Sequence, residues 1–202
     1  MKQQDIKKHY KKLYKQKDVY HFGTRLKKKI LDLIVKKLKR GAIIDLGSGE
    51  GADIHYLASK GFEATAVDLS KDALEKLKEL AKSDGLKIKT IVADLDNFQV
   101  ESTYDGIISF LVLQHLSKNR QKFLIENIKE KTRKGGINAI SVFRRGDDSE
   151  GKWKDQELFK DAELKKYYSD WNILFYNESE RLDKAHGKPH THKIAEIVAE
   201  KK

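Results

Sequence analysis

The chain has 202 residues, of which 42 are lysine or arginine, 31 are aspartate or glutamate and none is cysteine. This length fits one domain with a complete core. Without cysteine the chain can form no disulfide framework, thiolate metal site or cysteine nucleophile, which agrees with a reducing compartment. No apolar run is long enough to predict a spanning helix or a secretory signal. We therefore predict a cytoplasmic protein with a single globular domain and no membrane partner.

The positive charge is concentrated at the amino-terminal end. Residues 1–40 contain 15 lysines and arginines against 3 acidic residues, and the rest of the chain is close to neutral. Apolar residues recur at helical spacing among the lysines of 26–38, which favours an amphipathic helix with a solvated basic face. Attraction of an anionic partner is the alternative. We expect 1–40 to form a basic helical arm whose aromatic residues either cover a ligand as a lid or pack on the domain: Tyr10, Tyr14, Tyr20 and Phe22.

Strands and helices alternate along the rest of the chain. Apolar or β-rich runs predict strands, and amphipathic segments predict helices, one of them capped by Ser70. In chain order we predict a strand at 42–46, a helix at 51–60, a strand at 62–67, a helix at 71–83, strands at 88–93 and 105–113, a helix at 118–132, a strand at 137–143, a loop at 144–153, a helix at 157–168 and an antiparallel pair of strands at 171–176 and 190–199. This alternation indicates a doubly wound α/β fold with helices on both faces of the sheet.

A glycine-rich loop, GSGEG, follows the first predicted strand. In a doubly wound sheet the ligand lies at the carboxyl ends of the strands, normally beside the first strand. Gly47, Gly49 and Asp68 formally match the dinucleotide pattern. A carboxylate at Asp45 would repel a pyrophosphate, but it suits a cationic donor without phosphate such as S-adenosylmethionine (SAM). The glycines serve either ligand, because a Cβ would block close approach of the backbone. The sequence assigns no role to Glu50.

Five sequence blocks in a fixed order resemble those of the class I SAM-dependent methyltransferases. They are IIDLGSGEG (43–51), AVDLS (66–70), VADLDNF (92–98), YDGIISFLVLQHL (104–116) and RKGGINAISVF (133–143). The resemblance implies a Rossmann-like sheet of seven strands in the order 3-2-1-4-5-7-6, with strand 7 antiparallel. It also implies a methyltransferase domain over 41–202 and SAM as the cofactor, with S-adenosyl-L-homocysteine (SAH) as its product.

The carboxyl-terminal part narrows this resemblance. The segments AELKKYYSDWNILFYNE (162–178) and HGKPHTHKIAEIVAEKK (186–202) are similar to those of the tellurite-resistance (TehB-type) methyltransferases. The family's usual cysteine in the glycine loop is Ser48 here, a small change at a position that mainly packs. The segment between Asn177 and His186 is shorter than in the tellurite enzymes, which bears on the acceptor and leaves the cofactor unaffected.

The resemblance also implies roles for residues at the strand ends. The implied contacts are Asp45, Gly47 and Gly49 to the methionine moiety, Asp68 to both ribose hydroxyls, Leu69, Asp94 and Leu95 to the adenine, and Ser109 and Phe110 to the sulfonium and its methyl group. Asp68 and Asp94 could instead cap helices, because both lie at predicted strand-to-helix junctions.

Basic and imidazole side chains near the carboxyl terminus are the candidates for the acceptor side of the site. In the TehB-type tail such side chains face the methyl donor, and the candidates here are His190, His192 and Arg181. On a strand the two histidines would point to the same face and could bind an oxyanion or accept a proton. Surface histidines are the alternative, and no metal site is predicted because a helical i, i+4 pair and a thiolate are missing. Arg144 and Arg145 open a polar loop and are expected to be solvated.

We therefore predict a SAM-dependent methyltransferase with a small, anionic acceptor, for which chalcogen oxyanions such as tellurite or selenite are candidates. A base is needed only if the acceptor arrives protonated, and His115, just past the fourth strand, is a further candidate for contact with it. The alternatives are an RNA or protein methyltransferase that docks through the basic arm, or a non-enzymatic protein that binds SAM or nucleic acid.

Overall fold

The computed structural model describes residues 3–15, 27–146, 157–183 and 190–202. Its helices are α1 (Gln3–Tyr14), α2 (Lys28–Leu38), α3 (Ala52–Ser59), α4 (Lys71–Ser83), α5 (Lys118–Lys131) and α6 (Glu163–Tyr167), with a short 3-10 helix at Leu113–His115. Its strands are β1 (Ala42–Leu46), β2 (Glu63–Asp68), β3 (Ile88–Val92), β4 (Tyr104–Phe110), β5 (Thr132–Phe143), β6 (Asn172–Asp183) and β7 (His190–Glu200). None of the helices described is long and apolar enough to cross a membrane.

The strands form a seven-stranded sheet in the order β3-β2-β1-β4-β5-β7-β6, which confirms the predicted order. The first five strands pair in parallel. β7 lies antiparallel between β5 and β6, also as predicted. The chain winds outward in one direction from β1 and in the other from β4, so a crevice opens between the loops that follow these two strands.

Helices cover both faces of the sheet, as the fold class predicts. On one face α5 packs against β5 and α6 against β7, and Leu124, Ile128 and Leu164 are fully buried there. On the other face α2 packs against β4 and β5, α3 against β1 and β2, and α4 against β2 and β3. Ile34 of α2 and Leu77 of α4 belong to the same buried cluster. The central strands are apolar almost throughout because neither face meets water.

The amino-terminal helices both bury apolar side chains. α2 contributes Ile30 and Leu31 to the buried cluster on its face of the sheet. α1 buries Ile6 and Tyr14. Their lysines lie mostly on exposed faces, as the amphipathic pattern predicts; on α1 and just after it these are Lys8, Lys11, Lys12 and Lys15. The other two aromatic residues considered for a lid, Tyr20 and Phe22, lie outside the described residues.

β4 ends three residues earlier than predicted. Leu111 has a φ of 56°, in the left-handed region, and this breaks the strand after Phe110. The Leu111 amide donates to the Ser141 carbonyl of β5 at 2.8 Å, and the chain then enters the 3-10 helix. The apolar run continues through both the strand and the turn, so its pattern cannot mark the boundary.

The helix predicted at 157–168 is wrong in its first half. Phe159 forms an isolated parallel bridge with Arg144, and Ala162 has a φ of 55° directly before α6. The helix therefore covers only Glu163–Tyr167. Tertiary pairing with the end of β5 has overridden a local helical pattern.

Candidate functional site

The glycine loop after β1 packs closely against its neighbours. The Gly47 amide donates to the Val67 carbonyl of β2 at 2.8 Å. Gly47 and Gly49 have φ values of 78° and 54°, in the region that favours glycine. A Cβ at Gly47 would collide with the Val112 side chain, and a Cβ at Gly49 would lie 2.8 Å from the Tyr14 hydroxyl. Gly47 therefore requires glycine for its conformation and for its small size, and Gly49 requires it for its conformation.

Asp45 is a buried carboxylate beside this loop, with only 3% of the residue exposed. Among the residues that the structure describes, none donates a hydrogen bond to it. Burial raises the pKa of Asp45 well above its usual range, and the nearby carboxylates of Asp53 and Asp68 raise it further. A buried charge without a donor is costly. The position is therefore suited to a ligand that brings positive charge.

Replacing Asp45 with asparagine should stabilise the ligand-free protein. Because the folded-state pKa is raised, stability is greatest at acidic pH and is lost as the pH rises through the folded pKa. The substitution should recover about 1–3 kcal/mol near neutral pH, and each kcal/mol corresponds to roughly 2–4 °C in Tm for a chain of this size. Thermal unfolding across a pH series measures this. A gain in Tm that does not shrink toward acidic pH would contradict the assignment.

Asp68, at the end of β2, connects the glycine loop with the start of α4. Its two carboxylate oxygens accept hydrogen bonds from the amides of Gly49 and Ser70, each at 2.8 Å. Burial raises the pKa of Asp68, although these amides act to lower it. The Ser70 hydroxyl caps α4 by accepting from the Ala73 amide at 3.2 Å, as predicted. Asp68 is therefore not the helix cap, and its carboxylate is directed to the loop.

Asp94 and Leu95 lie in a turn after β3 that no helix follows. The Phe98 amide donates to the Asp94 carbonyl at 2.9 Å and closes this turn. The Asp94 carboxylate accepts from the Asp96 amide at 3.1 Å and forms an ion pair of 2.5 Å with the Lys7 ammonium of α1. The capping alternative for Asp94 is therefore wrong. Leu95 is buried beneath the turn.

The end of β4 completes the same edge of the sheet. The buried Ser109 hydroxyl donates to the Leu46 carbonyl at 2.9 Å, which joins β4 to β1 at the start of the glycine loop. Phe110 and Leu69 are half-buried at the ends of β4 and β2. The carboxyl ends of neighbouring parallel strands thus gather the residues predicted to contact a cofactor, and the turn after β3 adds the remaining two.

Helix α1 lies over this edge. Tyr14 is 5% exposed, and its ring stacks on that of Tyr10 with centroids 6.2 Å apart. Tyr10 in turn contacts the His115 ring, at 5.6 Å between centroids. Burial raises the pKa of Tyr10 to about 12, and the charge of Asp68 contributes to the rise. The inner face of α1 therefore covers the glycine loop and extends to the turn that follows β4.

Glu50 has a partner that its position in the loop did not reveal. Its carboxylate lies 2.7 Å from the Lys76 ammonium of α4, and the two side chains are 2% and 6% exposed. The pair joins the glycine loop to the helix that follows β2. Glu50 thus has a structural contact and is not free to bind a ligand through its charge.

The residues predicted to contact the acceptor are only partly brought together. His192, on β7, is buried and stacks on Phe143 of β5 with ring centroids 4.6 Å apart. Arg181 faces His192 across the β6–β7 pair and is exposed. At about 5 Å between strands, β7 lies roughly 10 Å from β4 and β6 farther still. The backbone of His190 begins β7 opposite Asp183, and its side chain lies outside the described part. Within the described ranges, no group of three or more His, Cys, Asp or Glu could hold a metal ion.

Arg144 is buried, so the prediction that it is solvated is wrong. Only 7% of the residue is exposed, and its guanidinium pairs with Asp161 and lies 3.1 Å from Glu178 of β6. Both acidic partners are distant in sequence, which is why the polar stretch around Arg144 suggested an open loop. Arg145 is exposed, as predicted.

Comparison with known proteins identifies the family. The profile of the tellurite resistance protein TehB family matches residues 7–194. A curated relative, the probable S-adenosyl-L-methionine-dependent methyltransferase TehB of Haemophilus influenzae, is 34% identical over 137 residues, which are 68% of this chain and 48% of the relative. The chain therefore spans about half the length of the curated relatives it matches.

Solved structures agree with this family. The crystal structure of TehB from Haemophilus influenzae superposes with a TM-score of 0.78 at 26% identity, over 97% of this chain and 67% of that one. Magnesium protoporphyrin IX methyltransferase from Synechocystis PCC 6803, solved with bound SAM, superposes with a TM-score of 0.64 at 16% identity, over 87% and 77% of the two chains, and shows the shared fold alone. Since the family profile covers nearly the whole chain, this protein belongs to the TehB family of tellurite resistance proteins.

Proposed function

We propose that the chain is a SAM-dependent methyltransferase with a small-molecule acceptor. The observation that carries the proposal is Asp45, a buried carboxylate with a raised pKa beside the glycine loop, to which no described residue donates a hydrogen bond. The sulfonium and ammonium groups of SAM would offset this charge, whereas a pyrophosphate would be repelled by it. The name of the Haemophilus influenzae relative, a probable SAM-dependent methyltransferase, supports the same activity.

The residues at the strand ends fit SAM by their chemistry. SAM supplies, when bound, a methyl group on a sulfonium sulfur. Asp45 and the close backbone of Gly47 and Gly49 would hold the methionine moiety. The Asp68 oxygens accept from the amides of Gly49 and Ser70 in the structure, and a carboxylate has about four acceptor sites, so lone pairs remain for the ribose hydroxyls. The adenine would lie against the hydrophobic side chain of Leu69 and the turn that carries Asp94 and Leu95.

Methyl transfer requires an aligned acceptor and the exclusion of water. The covering helix α1 and the turn after β4 would provide the enclosure. The left-handed Leu111 brings Val112 against Gly47, and Tyr10 bridges from α1 to His115. Ser109 and Phe110, at the end of β4, would border the transferred methyl group.

The acceptor that we propose is a small anion, with chalcogen oxyanions such as tellurite or selenite as candidates. The family's description as tellurite resistance proteins supports a small acceptor of this kind. His190, His192 and Arg181 would contact it from β7 and β6. His115, which lies directly after β4 and so nearer to the glycine loop than β7 and β6 do, is a further candidate contact. An oxyanion arrives deprotonated, so these groups would bind it and need not remove a proton.

Calorimetry tests the cofactor directly. The protein should bind SAM and SAH, and it should bind NAD weakly or not at all. Binding of NAD together with indifference to SAM and SAH would overturn the proposal.

A methylation assay with labelled SAM tests which acceptor the protein uses. The candidates are tellurite, selenite, thiols, small amines and bulk RNA. If His192 binds the acceptor, His192→Ala should lower turnover at limiting acceptor by about tenfold or more with SAM affinity unchanged, and Arg145→Ala is the exposed control. Methylation of RNA alone, with a strong salt dependence, would favour docking through the lysines of α1 instead.

A further inference from the structure

Lys7, on the inner face of α1, lies between two carboxylates of the turn after β3. Its ammonium is 2.5 Å from the Asp94 carboxylate and is also paired with Asp96. All three side chains are about one quarter to one third exposed. Although burial opposes it, the contact with Lys7 holds the pKa of Asp94 below its usual range. A single cation of the covering helix is therefore shared by two anions of the candidate cofactor site.

The turn that carries these two carboxylates is held in place by α5. The Arg120 guanidinium of α5 donates to the Leu95 carbonyl at 2.6 Å and also to the Phe98 carbonyl. The Asp96 amide fixes one oxygen of Asp94 at 3.1 Å. The turn would therefore stay in place if α1 moved, and only the Lys7 side chain would have to change its ion-pair partner.

The second carboxylate has a consequence for ligand entry. The adenine amino group is a hydrogen-bond donor, and it would compete with the Lys7 ammonium for the Asp94 oxygen that does not accept from the Asp96 amide. With Asp94 as its sole partner, Lys7 would lose its ion pair whenever adenine bound, and α1 would lose its anchor. Asp96 removes this competition, because it can remain paired with the Lys7 ammonium while Asp94 accepts the hydrogen bond from the adenine.

We propose that Lys7 is a positioning residue that latches α1 over the bound cofactor by passing from Asp94 to Asp96. This inference rests on the proposed function, in which Asp94 accepts from the adenine amino group. In the ligand-free protein Lys7 bridges both carboxylates. In the bound protein it holds Asp96 alone, and the tyrosines of α1 stay over the glycine loop while the site is filled.

A double-mutant cycle on Lys7 and Asp96 tests this latch by SAM calorimetry and stopped-flow dissociation. Asp96→Asn leaves Lys7 with Asp94 alone, so SAM must displace it, and the Kd should rise about three- to fivefold. Lys7→Met removes both the latch and the competition, so SAM should associate and dissociate faster by a similar factor, and its Kd should stay close to that of the wild-type protein. In the double variant the competition is gone, so its SAM affinity should be higher than that of Asp96→Asn and equal to that of Lys7→Met. A double variant that binds SAM no better than Asp96→Asn would overturn the proposal.

Lys11→Met is the matched control, because Lys11 is exposed on the same helix and acts on Asp94 through space. If it speeds SAM dissociation as much as Lys7→Met does, general charge and not the latch is responsible, and the proposal is overturned. Hydrogen exchange without ligand adds a second readout, in which Lys7→Met should lower the protection of the α1 amides about three- to fivefold. Failure of the proposed function gives a different result from failure of the latch alone. In that case the wild-type protein would bind neither SAM nor SAH, and the proposed movement of Lys7 from Asp94 to Asp96 would be overturned as well.

Discussion

Replacement of Asp68 with alanine is expected to lower SAM affinity by at least about 100-fold, because a hydrogen bond to a charged group contributes about 1.5–3 kcal/mol and the ribose would lose two. The same change removes the acceptor for the amides of Gly49 and Ser70. The glycine loop would then lose its link to the start of α4. Both effects act in the same direction, and titration calorimetry with SAM and SAH measures their sum.

Two variants separate ligand contact from loop support. Asp68→Asn keeps the shape of the side chain but turns an amide group toward one of the two backbone donors, so its affinity for SAM should fall between wild type and Asp68→Ala. Asp72→Ala is the matched control, because Asp72 is an exposed carboxylate in the first turn of α4. Wild-type SAM affinity in Asp68→Ala would remove Asp68 from the site.

The Glu50–Lys76 pair is the second place where one substitution should have a large effect. Lys76→Met removes this cation from a carboxylate that is 2% exposed, and breaking a buried pair from one side costs about 3–5 kcal/mol. At roughly 2–4 °C per kcal/mol for a chain of this size, Tm should fall by about 6–20 °C. Thermal unfolding by circular dichroism measures the change.

The partner substitution sharpens this test. In the double variant Glu50→Gln with Lys76→Met no charge is left buried, so most of the lost stability should return. Lys78→Met serves as the control, since Lys78 pairs with Glu75 on the exposed face of the same helix, and its Tm should change little. If Lys78→Met and Lys76→Met had the same effect, the buried pair would not be the cause.

The sheet and the cofactor side of the site follow from the sequence because both depend on local signals. Apolar runs, helix caps and glycines predict the elements in order, and the fold then brings the ends of β1, β2 and β4 to one edge. Asp45 could be singled out because a charge directly before a glycine loop decides between two classes of ligand. Its burial, and the lack of a described donor to it, agree with that interpretation.

The contacts that the sequence missed all join residues far apart in the chain. Lys7, Lys76 and Arg144 each lie in a charged stretch that has the pattern of a solvated surface. Their partners are 87, 26 and 17 residues away. A charged stretch has the same sequence pattern whether its lysine or arginine meets water or a carboxylate from elsewhere in the chain, so only the tertiary structure tells the two apart.

The sharing of Lys7 between Asp94 and Asp96 also has a consequence for the order of folding. α1 is the first described element of the chain, yet the partners of Lys7 are 87 and 89 residues away. Closing a loop of this length costs chain entropy that a single ion pair does not repay, so we expect the contact to form late in folding. We therefore expect α1 to dock on a sheet in which β2 and β3 have already paired. Opening of the site would then be a local undocking of one helix that leaves the cooperative unit of the sheet intact.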